Sequence, residues 1–161
     1  MTRVSSPSAP ADPTSGSTPI AVLFLVDGRG HVLLQHRDEH APRAPDKWGM
    51  VGGHVEPGED WDAAAHRELL EETGIALPPE RLTLWTEGEF TYSDGARHSY
   101  RVYAARVDLR DEDVVVGEGR AIVFVDPAET DALDAAESLA HFLPQFLRSD
   151  LYRLLSEGTP S

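Results

Sequence analysis

Apolar and polar residues alternate or cluster in short runs over much of the chain, and these runs predict β-strands. IAVLFLVD (20–27) and HVLLQHR (31–37) flank a turn that contains glycine, which is typical of a hairpin. RLTLWTEGEFTY (81–92) and SYRVYAARVDL (99–109) are rich in β-branched and aromatic residues, and SDGAR between them predicts a second hairpin. AIVFV (121–125) predicts one further strand.

Two segments show a helical pattern instead. Residues 60–73 begin with two aspartates and end before Gly74, so both ends carry the usual signals of a helix terminus. In residues 127–155 apolar residues recur at helical spacing, and Pro144 either interrupts this helix or begins its second half. Its predicted core positions are Leu139, Phe142, Phe146, Leu147, Leu151 and Leu154. Strands flanked by such helices predict an α/β (α+β) fold, a sandwich with a mixed sheet.

The N-terminal segment has a different composition from the rest of the chain. Residues 1–18, MTRVSSPSAPADPTSGST, are nearly all Ser, Thr, Pro, Ala and Gly. Such a segment buries too little apolar surface to offset the entropy lost on ordering. We therefore predict a disordered N-terminal arm over residues 1–18 and one folded domain over residues 19–157.

Composition and charge narrow the range of functions. The chain has 161 residues, a formal charge of −14 and no cysteine. The acidic charge argues against nucleic acid polymers and anionic membranes as partners, so a phosphate-bearing ligand must meet local cations or a bound metal. The lack of cysteine excludes disulfides, thiolate zinc sites and a cysteine nucleophile. No apolar run is long enough to span a bilayer and no signal peptide is recognisable, so we expect a cytoplasmic protein.

The most unusual stretch is acidic. Residues 53–75 read GHVEPGEDWDAAAHRELLEETGI, and they place Glu68, Glu71 and Glu72 at helical neighbour spacing. Each like-charge pair of this kind costs a helix roughly 0.2–0.5 kcal/mol. On a helical projection the three carboxylates share one face, and the opposite face is expected to pack on the core; it carries Ala63, His66, Leu69, Leu70 and Thr73. The carboxylates either form a solvated face or bind a hard divalent cation.

This segment resembles the Nudix box, G-x5-E-x7-R-E-U-x-E-E-x-G-U, in which U is aliphatic. Every specified position is filled, by Gly53, Glu59, Arg67, Glu68, Leu69, Glu71, Glu72, Gly74 and Ile75. A complete match of this length is a specific signal. The preceding WGMVGG also resembles the family, although Met50-Val51 stands where many members have a proline. The order of predicted elements resembles the family fold over residues 20–155.

The resemblance implies Mg²⁺- or Mn²⁺-dependent hydrolysis of a nucleoside diphosphate linked to another group X. Carried over position by position, Glu68, Glu71 and Glu72 are similar to the family's metal ligands, and Glu71 or Glu72 is also a candidate for the general base. Gly53 corresponds to a position whose carbonyl joins the metal site. Arg67 corresponds to an orienting partner in a salt bridge, because arginine keeps its proton.

Four more residues are candidates with alternatives left open. Glu59 binds metal or braces the loop, and Glu118 is either an additional metal-binding or base glutamate or a solvated loop acid. Arg37 and Gly52 are candidate substrate contacts, although an arginine at a hairpin end often faces solvent. A second group of residues could stack on a base or belong to the core: Trp48, Phe90, Tyr92, Tyr100 and Tyr103.

The substrate is less well defined than the reaction. The leading hypothesis is a small, mutator-like enzyme that converts an ordinary or oxidised nucleoside triphosphate to a monophosphate and pyrophosphate. ADP-ribose and nucleotide-sugar pyrophosphatases and dinucleoside polyphosphate hydrolases are the alternatives; Phe90 stands where the ADP-ribose enzymes tend to have proline, and Tyr92 suits the dinucleotide enzymes. A sensor that binds nucleotides without hydrolysis is the non-enzymatic alternative. By analogy with relatives, a homodimer is a candidate assembly.

Overall fold

A computed structural model describes residues 17–157, and within this range seven strands form one mixed sheet. The strands are β1 (Thr18–Val26), β2 (Val32–His36), β3 (Trp48–Gly49), β4 (Val51–His54), β5 (Thr83–Thr91), β6 (Arg97–Arg106) and β7 (Ala121–Val125). The α-helices are α1 (Trp61–Thr73), α2 (Glu137–Leu147) and α3 (Asp150–Glu157). Short 3₁₀ helices cover Pro79–Arg81, Asp111–Asp113 and Pro127–Ala132.

Strand β1 lies at the centre of the sheet. It runs parallel to β6 along its whole length and antiparallel to β4 over its first half. The predicted second hairpin is confirmed, since β5 and β6 pair antiparallel around the turn. The first hairpin is confirmed only at its turn, where Val26 pairs with Val32. Beyond that point β2 leaves β1 and pairs with β7 and β3.

Helices cover both faces of the sheet, which confirms the predicted α/β sandwich. On one face α1 packs over a core that includes Leu23, Leu33 and Leu69. On the other face α2 and α3 pack over Phe24, Val102 and other residues of the same strands. Alternate residues of β1 therefore face opposite cores, as the two-residue period of a strand requires.

The ends of α1 agree with the prediction, but its orientation does not. Gly74 ends the helix in the left-handed region, with φ of 74°, and its N–H donates to the Leu70 carbonyl at 2.9 Å. The predicted packing face is confirmed at Leu69 and Thr73, which are buried, but it is wrong at Leu70, which is 52% exposed. Glu72, predicted on the opposite face, is only 5% exposed. The helix lies across β4, where Gly52 and Gly53 have no side chains, and this leaves room for carboxylates to point inward.

The C-terminal helices also differ from the prediction. Pro144 lies inside α2 and does not interrupt it, so the predicted break at this residue is wrong. Helix α2 ends instead at Leu147, and α3 begins at Asp150. At the start of α3 the Ser149 hydroxyl accepts a hydrogen bond from the Tyr152 N–H at 3.1 Å. Leu154, predicted as a core residue, is 66% exposed.

Residues 1–16 of the predicted N-terminal arm lie outside the described residues. Thr18, which was assigned to that arm, is already the first residue of β1 and pairs with His98 of β6. Within residues 17–157, none of the helices has the length and apolar character needed to cross a bilayer.

Candidate active site

Two glycines of β4 allow the chain to approach α1 and β1 closely. Gly52 has φ of 136°, and a Cβ at this position would lie 2.2 Å from the Ala21 carbonyl oxygen. A Cβ on Gly53 would lie 2.7 Å from Oε2 of Glu68. Any side chain here would displace either the sheet or a carboxylate. The glycines therefore determine where the acidic helix meets the sheet.

Glu72 is the most buried carboxylate of the site. Its Oε1 accepts a hydrogen bond from the Gly52 N–H at 3.0 Å. Burial raises the pKa of Glu72 to about 8, and the nearby charges of Glu68 and Glu118 act in the same direction, while the Gly52 hydrogen bond opposes them. Without a cation, Glu72 therefore holds a proton at neutral pH.

Glu68 and Glu118 complete one side of the site, and we call Glu68, Glu72 and Glu118 the acidic wall. Burial raises the pKa of Glu68, although Arg67 partly offsets this. Glu118 lies on a loop that is held against α1 and β2. The Gly117 N–H donates to the Glu72 carbonyl at 2.8 Å, and the Gln35 side chain donates to the Glu118 carbonyl at 3.0 Å.

Arg67 connects the carboxylates of the acidic segment. Its Nε donates to Glu59 Oε2 at 2.8 Å, and its Nη1 donates to Glu68 at 3.2 Å and Glu71 at 3.1 Å. Its Nη2 contacts Glu59 Oε1 and the His54 carbonyl, both at 3.0 Å. The hydrogen bonds to Glu59 raise the pKa of Arg67 well above its usual value. The guanidinium thus joins the helix to the loop before it.

The structure separates the predicted glutamates into two groups. Glu68, Glu72 and Glu118 line one cavity. Glu59 is held by Arg67 and also accepts from the Glu56 N–H at 2.9 Å, so both of its oxygens are occupied. The Glu71 side chain is 58% exposed and pairs with Arg67. Neither Glu59 nor Glu71 is among the described residues that line the cavity.

The cavity has a volume of about 920 Å³, and three basic residues help to line it. Arg37, Arg43 and Lys47 line it, together with the backbone of Gly52 and Gly53. Nε of Arg37 donates to the Arg43 carbonyl at 2.8 Å, which holds the loop in place. Arg37 was predicted from the sequence as a substrate contact, whereas Arg43 and Lys47 were not. The loop sequence PRAPDK, with two basic residues in an acidic chain, was the signal that could have found them.

The cavity is also lined by Tyr92, His98 and Tyr100, which we call the aromatic wall. Tyr92 is 6% exposed, and the Arg43 guanidinium lies 4.1 Å from its ring centre. Both tyrosines are therefore cavity residues, whereas Tyr103 belongs to the core beneath α1, where its hydroxyl donates to Asp62 at 2.7 Å. His98 was not predicted, because a single histidine in a strand carries no motif.

The acidic wall has the chemistry of a cation site. Among residues 17–157, no three His, Asp or Glu side chains already stand in a metal-binding arrangement. The carboxylates nevertheless fit a hard divalent cation, because two of them have raised pKa values and repel each other. Gly53 also leaves its backbone open beside Glu68. A cation would remove the repulsion that the bare wall carries.

Known structures share this architecture. The chain superposes on the MutT protein from Methanosarcina mazei Go1 with a TM-score of 0.68, 20% identity and coverage of 85% of this chain and 97% of that chain. It superposes on the NUDIX domain of Shewanella oneidensis NrtR, complexed with ADP ribose, with a TM-score of 0.69, 16% identity and coverage of 84% and 90%. The fold is therefore that of Nudix proteins.

Comparison of the amino-acid sequence with known families leads to the same family as the fold. The NUDIX domain family model matches residues 17–146, and the chain belongs to the Nudix family. The nucleoside triphosphatase NudI of Escherichia fergusonii is 34% identical over 87 residues. That match covers 51% of this chain and 62% of the relative, so the chain spans less than two thirds of the curated protein it resembles.

Proposed function

We propose that this protein is a hydrolase that cleaves nucleoside triphosphates, ordinary or oxidised, to a nucleoside monophosphate and pyrophosphate, with Mg²⁺ or Mn²⁺ as cofactor. The observation that carries the proposal is one cavity lined by both carboxylates and cations. Glu68, Glu72 and Glu118 of the acidic wall line it together with Arg37, Arg43 and Lys47. A cation-bound polyphosphate needs both: oxygen ligands for the metal and positive charge for the remaining phosphate oxygens.

Glu68 and Glu72, with the Gly53 carbonyl, are the groups we assign to the metal, and Glu118 is a further ligand or proton acceptor. When bound, the cation neutralises phosphate charge and acidifies water. The protein's own part is to hold these oxygens at one end of the cavity. Glu72 and Glu118 are the candidate acceptors for a proton from the attacking water, because both line the cavity and Glu71 does not.

Arg67 and Glu59 have a positioning role in this proposal. Arg67 contacts Glu68 directly and is itself fixed by two hydrogen bonds to Glu59. Of the two alternatives for Glu59, bracing the loop is favoured, since both of its oxygens already have donors. Glu71 pairs with the same arginine and would help to orient it, or would join the metal site after a change of rotamer.

A triphosphate substrate is favoured over the alternatives by two observations. The NudI relative is described as a nucleoside triphosphatase, and its identity of 34% exceeds that of the structural neighbours. Tyr92, the residue that suited a dinucleoside polyphosphate hydrolase, is buried and already has Arg43 over its ring. A second base therefore has no free stacking surface at this tyrosine.

The test is a screen of Mg²⁺-dependent phosphate and pyrophosphate release. The substrates are ordinary and oxidised nucleoside triphosphates, dinucleoside polyphosphates, ADP-ribose and nucleotide sugars, each with and without EDTA. We expect pyrophosphate release from at least one triphosphate and none in EDTA. Saturable nucleotide binding without any product would contradict the proposal and support a sensor.

Cellular location and assembly are also proposals. The absence of cysteine is compatible with a reducing compartment, so we place the reaction in the cytoplasm. A homodimer is the candidate assembly, and light scattering of the purified protein would test it. A monomeric mass at enzyme-assay concentration would exclude the dimer as the active form.

A further inference from the structure

The polar groups of the aromatic wall form a hydrogen-bond network. The Tyr92 hydroxyl contacts Nδ1 of His98 at 3.0 Å, and the hydroxyls of Tyr92 and Tyr100 contact each other. Tyr100 in turn contacts the side chain of Ser138, at the start of α2. Tyr92 and Tyr100 are buried, with 6% and 4% exposure, so these hydrogen bonds form away from bulk water.

The Nδ1 atom of His98 lies within hydrogen-bond distance of both hydroxyls, at 3.0 Å from Tyr92 and 3.4 Å from Tyr100. A phenol hydroxyl is a stronger acid than a neutral imidazole N–H, and an imidazole nitrogen is a better acceptor than a phenol oxygen, so Tyr92 donates to Nδ1. Because a phenol that donates needs an acceptor, Nδ1 of His98 carries no proton.

His98 is consequently a neutral imidazole with its proton on Nε2. Burial lowers the pKa of His98 to about 4, and the charges of Arg43 and His54 act in the same direction. A neutral histidine with an acceptor at Nδ1 presents a donor at Nε2. Among residues 17–157, Nε2 has no hydrogen-bond partner, and His98 lines the cavity.

The groups around His98 strengthen this donor character. The Arg43 guanidinium, which can only donate, lies over the Tyr92 ring beside it. Two carboxylates near this end already have donors: Glu137 accepts from the N–H and hydroxyl of Ser93, at 2.8 Å and 2.7 Å. Asp94, whose charge opposes the lowering of the His98 pKa, accepts from Arg43 at 3.2 Å and from the Ala96 N–H at 3.0 Å. This end of the cavity therefore offers donors to a ligand, whereas the acidic wall offers acceptors.

We propose that the aromatic wall reads the nucleobase and selects bases that present a carbonyl oxygen over bases that present an amino group at the same position, with His98 Nε2–H as the donor. The proposal rests on the proposed function only in taking a nucleotide as the ligand. A base with an amino group opposite His98 Nε2–H would place two donors against each other. A site that hydrogen-bonds one polar group of a ligand rejects an analogue that lacks this group.

Two matched pairs of ligands isolate this contact. UMP and CMP differ at the 4-position by a carbonyl or an amino group, and IMP and AMP differ in the same way at the 6-position. Nucleoside monophosphates have no phosphoanhydride to cleave, so binding is measured without turnover. By titration calorimetry with wild-type protein, we expect UMP to bind at least about fivefold more tightly than CMP, and IMP more tightly than AMP.

Variants separate the donor from the residue that orients it. In His98→Leu the preference should disappear. In His98→Gln the preference should also disappear, but for a different reason: the affinity for CMP should rise. An amide can turn either its oxygen or its nitrogen toward the base. Tyr92→Phe keeps the ring but removes the donor to Nδ1, so the imidazole can change tautomer and the preference should fall to about twofold or less.

The tautomer itself is a second readout. In wild-type protein, ¹⁵N chemical shifts of the His98 ring should show protonated Nε2 and unprotonated Nδ1 at neutral pH. Tyr92→Phe should give a mixture of both tautomers. Tyr103→Phe is the matched control, because its hydroxyl donates to Asp62 beneath α1 and not in the cavity. It should keep both the tautomer and the base preference.

The outcomes distinguish this inference from the proposed function. Equal affinities within each pair, preference for the amino base, a preference that survives His98→Leu, or no binding of any monophosphate would each overturn the inference. A clear carbonyl preference together with no Mg²⁺-dependent product from triphosphates would support base reading and overturn hydrolysis.

Discussion

The acidic wall and the aromatic wall line the same cavity but differ in how their polar groups interact. Burial raises the pKa values of Glu68 and Glu72, and the charges of neighbouring glutamates, Glu118 among them, act in the same direction. The aromatic wall has no such conflict: each hydroxyl of Tyr92 and Tyr100 has a partner, and His98 is neutral.

The difference indicates how each wall acts on a ligand. Clustered carboxylates are destabilised without a cation and are stabilised when one binds. The acidic wall therefore suits chemistry that depends on bound metal. A wall whose hydrogen bonds are already made keeps a defined pattern of donors, so the aromatic wall suits discrimination between ligands. Changing one wall and measuring the property assigned to the other tests whether the two walls have separate roles.

The largest effect is expected for Glu72→Gln. This change keeps the shape of the side chain but removes a buried metal ligand, so kcat should fall by about 10²-fold or more. Release of pyrophosphate under saturating Mg²⁺ measures it. Glu129→Gln, outside the cavity, is the control and should retain wild-type activity. Turnover of Glu72→Gln within about twofold of wild type would contradict the assignment of the acidic wall.

Arg67→Gln should have the next largest effect. Glu68 and Glu71 would lose their shared donor, and Glu59 would lose two hydrogen bonds. We expect Mn²⁺ affinity and kcat/KM to fall by about 10- to 100-fold, the range for residues that orient metal ligands. Arg153→Gln removes an exposed arginine that pairs with Asp150 and serves as control. Unchanged Mn²⁺ affinity would argue against an orienting role.

The pH dependence of stability should show the conflict in the acidic wall directly. Because the folded-state pKa of Glu72 is about 8 and its ordinary value is 4.5, the folded protein binds this proton more tightly, and stability should fall as pH rises between these values. The lowered pKa of His98 changes stability only below its ordinary value of 6.5. From about pH 6.5 to about pH 8.5, the metal-free protein should therefore lose several degrees of Tm.

Two comparisons sharpen this measurement. Saturating Mg²⁺ should restore part of the lost Tm at the higher pH, because the cation binds the deprotonated wall. In Glu72→Gln the pH-dependent loss should shrink, and the variant should be more stable than wild type in alkaline buffer without metal. A Tm that rises with pH over the same interval in wild-type protein would mean that the wall is not destabilised by its charge.

The smallest effect is expected from removal of residues 1–16. Both walls are formed by residues from Glu68 to Glu118, inside the matched segment 17–146. A chain that begins at Ser17 should have the Tm and kcat/KM of the full chain, measured by calorimetry and pyrophosphate release. A clear decrease in either quantity would assign a role to the N-terminal segment.

Sequence patterns predicted those parts of the protein that depend on neighbouring residues. The ends of α1, the strand 121–125 and the hairpin of β5 and β6 were predicted correctly, because caps, turns and alternation act over a few residues. The burial of Leu70 and Leu154 was predicted wrongly. Helical spacing defines which residues share a face, but not which face meets the sheet.

By itself, the sequence determined the family and the acidic segment, because the Nudix box spaces its glycines, glutamates and arginine along a single loop and helix. Only the tertiary structure decided which carboxylates meet. It turned Glu68 and Glu72 inward over Gly52 and Gly53, and it left Glu71 outside. The aromatic wall comes from one hairpin, with Tyr92 at its turn and both His98 and Tyr100 on β6. Only the tertiary structure brought it to the cavity of the acidic wall, because β6 and β4 both pair with β1.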